Sequence, residues 1–364
     1  MSRYKKYRFA KYLPERVVES FIKRKSPVIA SHITGVKSIT GSEAEGWFIA
    51  CPLTPRQLLT LPQEFVYQRL VECGRIAEDL GAKIIGLGAF TSVVGDGGVT
   101  VAKSVNIAVT TGNSYTVATA IEAAIDGARR MEIDPAAATI AVVGASGSIG
   151  RTCAHILSEV GQSLHLIGRD LARLEAVKSE LTPENSRKTF CFNSVSAGLA
   201  DADIIITVTS AVDVVIQPKD LKSGCVICDV ARPRDVSERV AKERDDVLVI
   251  EGGVVSVPGT PEFNFNFGFP PAMAYACMSE TMMLALEGQY ESFTLGKTVS
   301  VHQVKHTEKL ASKHGFRLAG YRSFEKAVTD EKISEILRNA NKRKTAASLI
   351  RNMERTPAGR KSPV

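Results

Sequence analysis

The chain has 364 residues, 44% hydrophobic and 23% charged, with 28 Gly and 15 Pro. That composition excludes collagen, coiled coil and wholesale disorder, and the length predicts two domains, each with its own core. The net charge of +7 sits at the ends: residues 1–25 carry +7 and residues 331–364 carry +6, leaving 26–330 at −6.

A nucleic-acid protein carries its basic surface on the folded body with aromatics beside it, and this body is acidic. The basic ends read as solvated tails, or else as docking segments for an acidic partner or an anionic membrane surface, a peripheral membrane contact. No apolar run reaches the length of a membrane span, Asp213 interrupting the best one at 204–216. The first residues, MSRYKKYRFAKYLPER, lack the apolar core of a secretory signal. Seven Cys spread over a long chain predict reduced thiols rather than a disulfide framework, so the expected location is cytoplasmic.

In chain order, residues 26–53 alternate in two short apolar runs around TGSEAEG, which predicts a pair of strands. A periodic stretch, 55–80, predicts one long helix, and a buried strand at 83–87, a Gly-rich connection and a strand at 105–109 follow. TTGNSYT (110–116) leads into a helix at 114–132. From 139 the pattern becomes strand–turn–helix, with strands at 139–143, 163–167, 203–208, 225–230 and 247–250. The clearest helices between them are 148–159 and 171–181. This alternation predicts an α/β fold, a Rossmann-type doubly wound parallel sheet. An apolar helix at 272–286 follows a Phe-rich loop, and beyond Asp330 only weak helical periodicity remains (Ile333, Ile336, Leu337).

The strongest motif is IAVVGASGSIGR. An apolar strand runs into Gly144, Gly147 and Gly150: the first for the tight turn, the second for close approach of a pyrophosphate, the third for helix–strand packing. The phosphate then rests on N–H groups of the helix start. The next strand, SLHLI, ends in Gly168-Arg169-Asp170. Arg169 suits a 2′-phosphate, which points to NADPH, while Asp170 either keeps NAD open or simply caps the following helix. The candidate cofactor set is Gly144, Ser146, Gly147, Ser148, Ile149, Gly150 and Arg169, with Thr209, Gly252 and Gly253 added.

Cys225 and Cys228 form a CxxC inside an apolar strand, where alternation sends them to opposite faces, so they read as structural thiols. Cys51, Cys73, Cys153 and Cys191 lie in apolar surroundings and read as core. The six His form no ligand set, and no metal is expected. Cys277 differs, lying near the start of a helix, where a thiolate is stabilised; from the residues alone it is either a nucleophile or a core Cys.

GLGAFTSVVG (86–95), TTGNSYT (110–116), AVVGASGSIG (141–150), EGGVV (251–255) and AYACMSETMMLALEG (274–288) occur here in one order. That order resembles the long-chain fatty acyl-[acyl-carrier-protein] reductases, aldehyde-forming enzymes within the shikimate- and amino-acid-dehydrogenase-like Rossmann group. The resemblance covers 30–318. It implies NADPH-dependent reduction of a fatty acyl thioester, carried on acyl-carrier protein or CoA, to a fatty aldehyde, with Cys277 as the nucleophile. Thr110, Thr111 and Ser210 are candidate hydroxyls for the oxyanion, and Thr110, Thr111 and Asn113 are candidate substrate residues. Two features depart from the family: the stretch before Cys277 is shorter and richer in Phe, and Ser256-Val257 stand where a His is expected.

The implied plan is a basic segment at 1–25, a discontinuous α/β substrate domain at 26–112 and 270–330, a dinucleotide domain at 113–269 and a basic tail at 331–364. Phe263, Phe265, Phe267 and Phe269 either line an acyl tunnel or cap the core. The main rival is an NAD(P)-dependent dehydrogenase of a small polar substrate, which needs a Lys/Asp acid–base pair; Lys103 and Asn106 lie in that region. A non-enzymatic rival is an NADP-sensing scaffold.

Overall fold

The computed structural model describes residues 15–92, 94–209, 211, 214–231, 234–266, 268–324 and 326–355. The chain forms two units, one from residues 1–115 and 255–319 and the other from 116–254 and 320–364.

In the first unit, α1 (Glu15–Ile22) precedes a hairpin of β1 (Val28–Lys37) and β2 (Glu43–Ala50). The stretch expected as one helix at 55–80 is two, α2 (Pro55–Thr60) and α3 (Gln63–Asp79). Pro62 stands between them with extended backbone, and a proline disfavours the helical conformation in the residue before it. Next come β3 (Ile84–Gly86), α4 (Val99–Ser104) and β4 (Ala108–Thr110), the last starting later than the expected 105–109. Strands β3 and β4 pair in parallel. Leu58, Val66, Leu70, Leu87, Val101 and Val109 form the core between these helices and strands.

Helix α5 (Asn113–Arg130) carries the chain into the second unit. There β5 (Thr139–Val143), α6 (Ser148–Ser158), β6 (Ser163–Ile167), α7 (Leu171–Ser179), α8 (Pro183–Arg187), β7 (Thr189–Phe192) and α9 (Val195–Leu199) follow in turn. The alternation ends with β8 (Ile204–Thr207), β9 (Val226–Asp229), α10 (Glu238–Glu243) and β10 (Leu248–Glu251). The six strands lie in the order β10-β9-β8-β5-β6-β7, every neighbouring pair parallel. This is the Rossmann order, in which the first strand is central and the winding reverses beside it. Ile140, Ile204, Ile205, Ile206, Val226 and Ile227 are fully buried, as strands covered on both faces require. The edge strand β7 was not expected from sequence; TFCF has its Phe190 49% exposed, so no clear run marks it.

Strands β11 (Val254–Ser256), β12 (Gly259–Glu262) and β13 (Met273–Tyr275) lead to α11 (Ala276–Glu287). The helix expected at 272–286 therefore begins four residues later, its first part being strand. Helix α12 (Val301–His314) and β14 (Arg317–Leu318) complete the first unit.

Residues 320–355 belong to the second unit as β15 (Tyr321–Ser323), β16 (Lys326–Val328) and α13 (Asp330–Arg355). The described part of the basic tail is thus a helix whose first turns have a buried side, Ile333, Ile336 and Ala340, while residues 341–346 are exposed. Arg343 pairs with Asp245 and, at 3.2 Å, with the buried Asp246. Desolvation opposes the Asp246 charge, but the hydrogen bonds and charge of Arg244, with the charge of Arg343, outweigh it and hold the carboxyl below its ordinary range.

Candidate active site

The candidate cofactor residues lie at the carboxyl ends of β5 and β6, with Thr209 after β8 and Gly252 and Gly253 after β10. Gly144 takes φ +85°, and its N–H and that of Ala145 donate to the Ile167 carbonyl at 2.8 and 3.3 Å, pinning the loop to β6. A Cβ on Gly150 would lie 2.2 Å from the Gly144 oxygen, so only glycine lets α6 start this close to the turn. Gly147 is the N-cap of α6 and no side chain caps that helix. Ser148 and Ile149 stand in its first turn, and the Ser148 hydroxyl is a buried polar atom without a partner among the described residues. An uncapped helix start with an unsatisfied hydroxyl is a fitting cradle for a pyrophosphate. The Ser146 hydroxyl lies 3.7 Å from where a Cβ on Gly168 would be, at the tip of β6.

Arg169 is exposed at that tip and has no ion-pair partner among the described residues. The neighbouring Asp170 caps α7, accepting from the Arg173 N–H at 3.2 Å. Thr209 donates its hydroxyl to Asp235 at 2.5 Å and its N–H to the same carboxylate at 2.9 Å. Its side chain thus ties the loop after β8 to the fully buried Asp235. Gly252 serves packing: a Cβ there would meet the Cys228 sulfur at 2.7 Å. Gly253 follows with φ +76°.

The first unit holds the second group. Residues 86–88 and 110–112 leave the carboxyl ends of β3 and β4, and three glycines there admit α11. A Cβ on Gly86 would lie 2.1 Å from the Thr281 hydroxyl, and one on Gly112 2.3 Å from Cys277 Cα. One on Gly88 would touch the Cys277 sulfur at 3.8 Å. Gly112 has φ +72°, so both its conformation and its contact require glycine. The GLG and TTG motifs are therefore the seat of Cys277.

Cys277 is the second residue of α11, half-buried, and α11 begins at Tyr275 with no side-chain cap. Its first-turn N–H groups form the positive pole at which a thiolate is stabilised. Other thiols sit differently. Burial pushes Cys153 and Cys225 up to about 12 and Cys191 up to about 11. Cys51 and Cys73 share a hydrogen bond that lowers the first and raises the second.

One helical turn after Cys277 lies Glu280, which the sequence reading passed over. It is fully buried, and four groups donate to it: Thr110 Oγ1 at 2.5 Å, Thr294 Oγ1 at 2.9 Å, Ser114 Oγ at 2.6 Å and the Tyr115 N–H at 2.9 Å. The i, i+3 spacing from a half-buried Cys was the available signal, but nothing in the sequence announces the donors that gather from residues 110–115 and 294.

This network corrects the oxyanion candidates. Thr110 spends its hydroxyl proton on Glu280 and Thr111 spends its own on the Thr294 carbonyl at 2.8 Å, so neither side chain has a proton for an oxyanion. Ser210 lies outside the described residues. Asn113 opens α5, is 5% exposed, and its side-chain amide bonds no described residue. Of the phenylalanines, Phe263 and Phe265 pack on Phe48 of β2, and Phe269 packs on Tyr275 at 4.5 Å between centroids; Phe267 lies outside the described residues. Lys103 and Asn106 are both exposed, and Lys103 forms no ion pair among the described residues.

Residues 127–251 match the family model of shikimate / quinate 5-dehydrogenases. Aminotransferase PigE of a Serratia species is 30% identical over 319 residues, 87% of this chain and 37% of that protein. The long-chain acyl-[acyl-carrier-protein] reductase of Synechococcus elongatus is 28% identical over 306 residues, 80% of this chain and 87% of the other. A glutamyl-tRNA reductase of Mannheimia succiniciproducens is 32% identical over 111 residues, 28% of this chain and 25% of that protein. The chain thus spans just over a third of the first relative and a quarter of the third. A dehydrogenase family model over the Rossmann sheet, together with two relatives named reductases, supports an oxidoreductase that uses a nicotinamide cofactor.

Proposed function

We propose that the protein reduces a fatty acyl thioester, carried on acyl-carrier protein or CoA, to a fatty aldehyde with NADPH, through a thioester on Cys277. The observation that carries this reading is Cys277 itself, seated on Gly88 and Gly112 at the uncapped start of α11. The acyl-carrier-protein reductase relative, aligned over most of both chains, supports the substrate class.

Gly144, Gly147, Gly150 and the Ser148 hydroxyl would hold the pyrophosphate, and Arg169 the 2′-phosphate. Bound NADPH supplies a hydride. The Cys277 thiolate adds to the thioester carbonyl, and the carrier sulfur leaves and takes a proton. That hydride would go to the acyl carbon, with the Cys277 thiolate as the leaving group and the aldehyde as the product. In both additions negative charge builds on the carbonyl oxygen, and the candidate donors to it are first-turn N–H groups of α11 and the Asn113 amide. Phe269 and Tyr275 offer an apolar surface beside the helix start.

Intact-protein mass spectrometry after incubation with palmitoyl-CoA, without NADPH, tests this. The wild type gains one acyl mass, and NADPH discharges it as aldehyde. Cys277→Ala gains none and loses turnover by at least about a thousandfold. A wild type that takes no acyl group from CoA or carrier-protein thioesters would sink the reading.

A further inference from the structure

We propose that Glu280 is a positioning residue for Cys277, a buried clasp that holds residues 110–115 against the thiol. The proposal rests on the thioester reading above and extends it to a residue outside that chemistry.

The clasp is defined by where its four donors sit. Thr110 lies on one side of Gly112, Ser114 and Tyr115 on the other, and all three donate to one carboxylate. Gly112 is thereby pulled onto Cys277, where the space for a Cβ is already taken. Thr294 closes the ring from a fourth segment, donating its hydroxyl to Glu280 and its N–H to Thr110 Oγ1 at 3.2 Å. The Thr111 N–H and hydroxyl both go to the Thr294 carbonyl, at 3.0 and 2.8 Å.

A carboxylate is the group this site fits. It is acceptor-only and takes up to four hydrogen bonds, and the four groups around it bring one proton each. No Lys, Arg or His pairs with it among the described residues. A buried charge without a cation is costly unless hydrogen bonds satisfy it. Here they do so while joining β4, the start of α5, α11 and residue 294. Glu280 also shares the helix with the thiol, three residues on, so the clasp fixes Gly112 relative to Cys277 directly. Asn113, whose side-chain amide bonds no described residue, lies between Gly112 and Ser114 and is set in place by the same bonds.

The test compares full-length wild type, Glu280→Gln and Glu280→Ala by three measurements. These are the rate of Cys277 acylation by palmitoyl-CoA, the ratio of Cys277 labelling by a bulky fluorescein maleimide to labelling by iodoacetamide, and NADPH affinity. In Glu280→Ala acylation falls roughly 100-fold, as for a misplaced reacting group. The labelling ratio rises several-fold because the wall at Gly112 loosens, and NADPH affinity is unchanged. Glu280→Gln lies between the two, since its oxygen still accepts from the Tyr115 N–H and the hydroxyls can turn. Wild-type acylation and labelling in folded Glu280→Ala would overturn the proposal. So would a parallel fall of acylation, both labelling rates and NADPH affinity, which marks general loss of structure. Should Glu280→Ala fail to fold, Ser114→Ala removes one donor and must move acylation and labelling in the same directions; no change overturns the clasp. The labelling ratio is readable even if wild type accepts no acyl group, so failure of the thioester reading and failure of the clasp are told apart.

Discussion

Two pairs of helices start in opposite ways. In the second unit α6 begins at Gly147 with no side-chain cap, while α7 begins at Asp170, whose carboxylate takes the Arg173 N–H. In the first unit α11 begins at Tyr275 uncapped, while α12 begins at Ser300 in a full capping box with Gln303. Helices α8, α9 and α10 are also capped, by Thr182, Ser194 and Ser237. Helices α3 and α4 start uncapped too, at Pro62 and Gly98, but α3 carries Glu64 in its first turn and α4 has only six residues. A cap satisfies one of the orphan N–H groups of a helix start and is worth about 0.5–2 kcal/mol. Helices α6 and α11, each longer than ten residues, forgo both cap and first-turn acid, and they carry the glycine loop and the thiol. In our reading, α6 keeps its donors for a phosphate and α11 for a thiolate and the oxygen that forms beside it.

The most direct way to break this comparison is to give α6 the cap it lacks. Gly147 has ordinary φ, and a Cβ there meets only the Gly144 oxygen, at 3.3 Å, so a side chain fits with a small adjustment. In Gly147→Asp the carboxylate takes the N–H groups reserved for the pyrophosphate. The cofactor-free protein becomes more stable by about 0.5–1 kcal/mol. NADPH affinity falls roughly 100-fold or more, because one anion now occupies the site of another. Titration of NADPH fluorescence with a thermal melt checks both; unchanged affinity would mean that the phosphate does not rest on α6.

A smaller effect is expected at the tip of β6. Arg169→Ala removes a charge that pairs with no described residue, and a charge-assisted bond to a 2′-phosphate is worth about 1.5–3 kcal/mol. NADPH affinity should drop roughly 10- to 100-fold while NADH affinity stays put. Equal losses for both would assign Arg169 to something other than the 2′-phosphate.

The half of the molecule built on alternation was legible. The strands from 139 onward and the Gly144–Gly150 turn follow from apolar runs and glycine spacing, because a parallel sheet buries both faces and writes itself as continuous Val/Ile. The edge strand β7 escaped since it is partly wet, and the break at Pro62 was hidden under a periodic stretch that runs across it. The fate of the basic tail was not readable from charge, because α13 is held by a few contacts, Ile333, Ile336, Ala340 and Arg343 on Asp246, within a polar helix. At the candidate site, the place of Cys277 near a helix start was legible from its motif. Glu280 was not, for its four partners come from segments more than a hundred residues away or from across α12's approach, and burial of a lone Glu leaves no pattern in the sequence. Thr110 and Thr111 illustrate the limit: their chemistry qualifies them as donors, and only the hydrogen bonds show that their protons are already committed.

The smallest effect separates the two neighbours at the tip of β6. Asp170 could accept ribose hydroxyls, as acidic residues at this position do in NAD sites, but its carboxylate already takes the Arg173 N–H at 3.2 Å and lies 3.4 Å from that guanidinium. The ion pair is exposed and contributes little, so the cap is its main role. Asp170→Ala should cost about 1 kcal/mol of stability with the NADPH-to-NADH affinity ratio unchanged. Ser300→Ala, which removes a cap from α12 far along the chain from the glycine loop, serves as the control and should cost a similar amount. Paired melts and cofactor titrations decide it. If Asp170→Ala weakens NADH binding while Ser300→Ala does not, the carboxylate serves the ribose as well as the helix, and the division between a cofactor arginine and a structural aspartate fails.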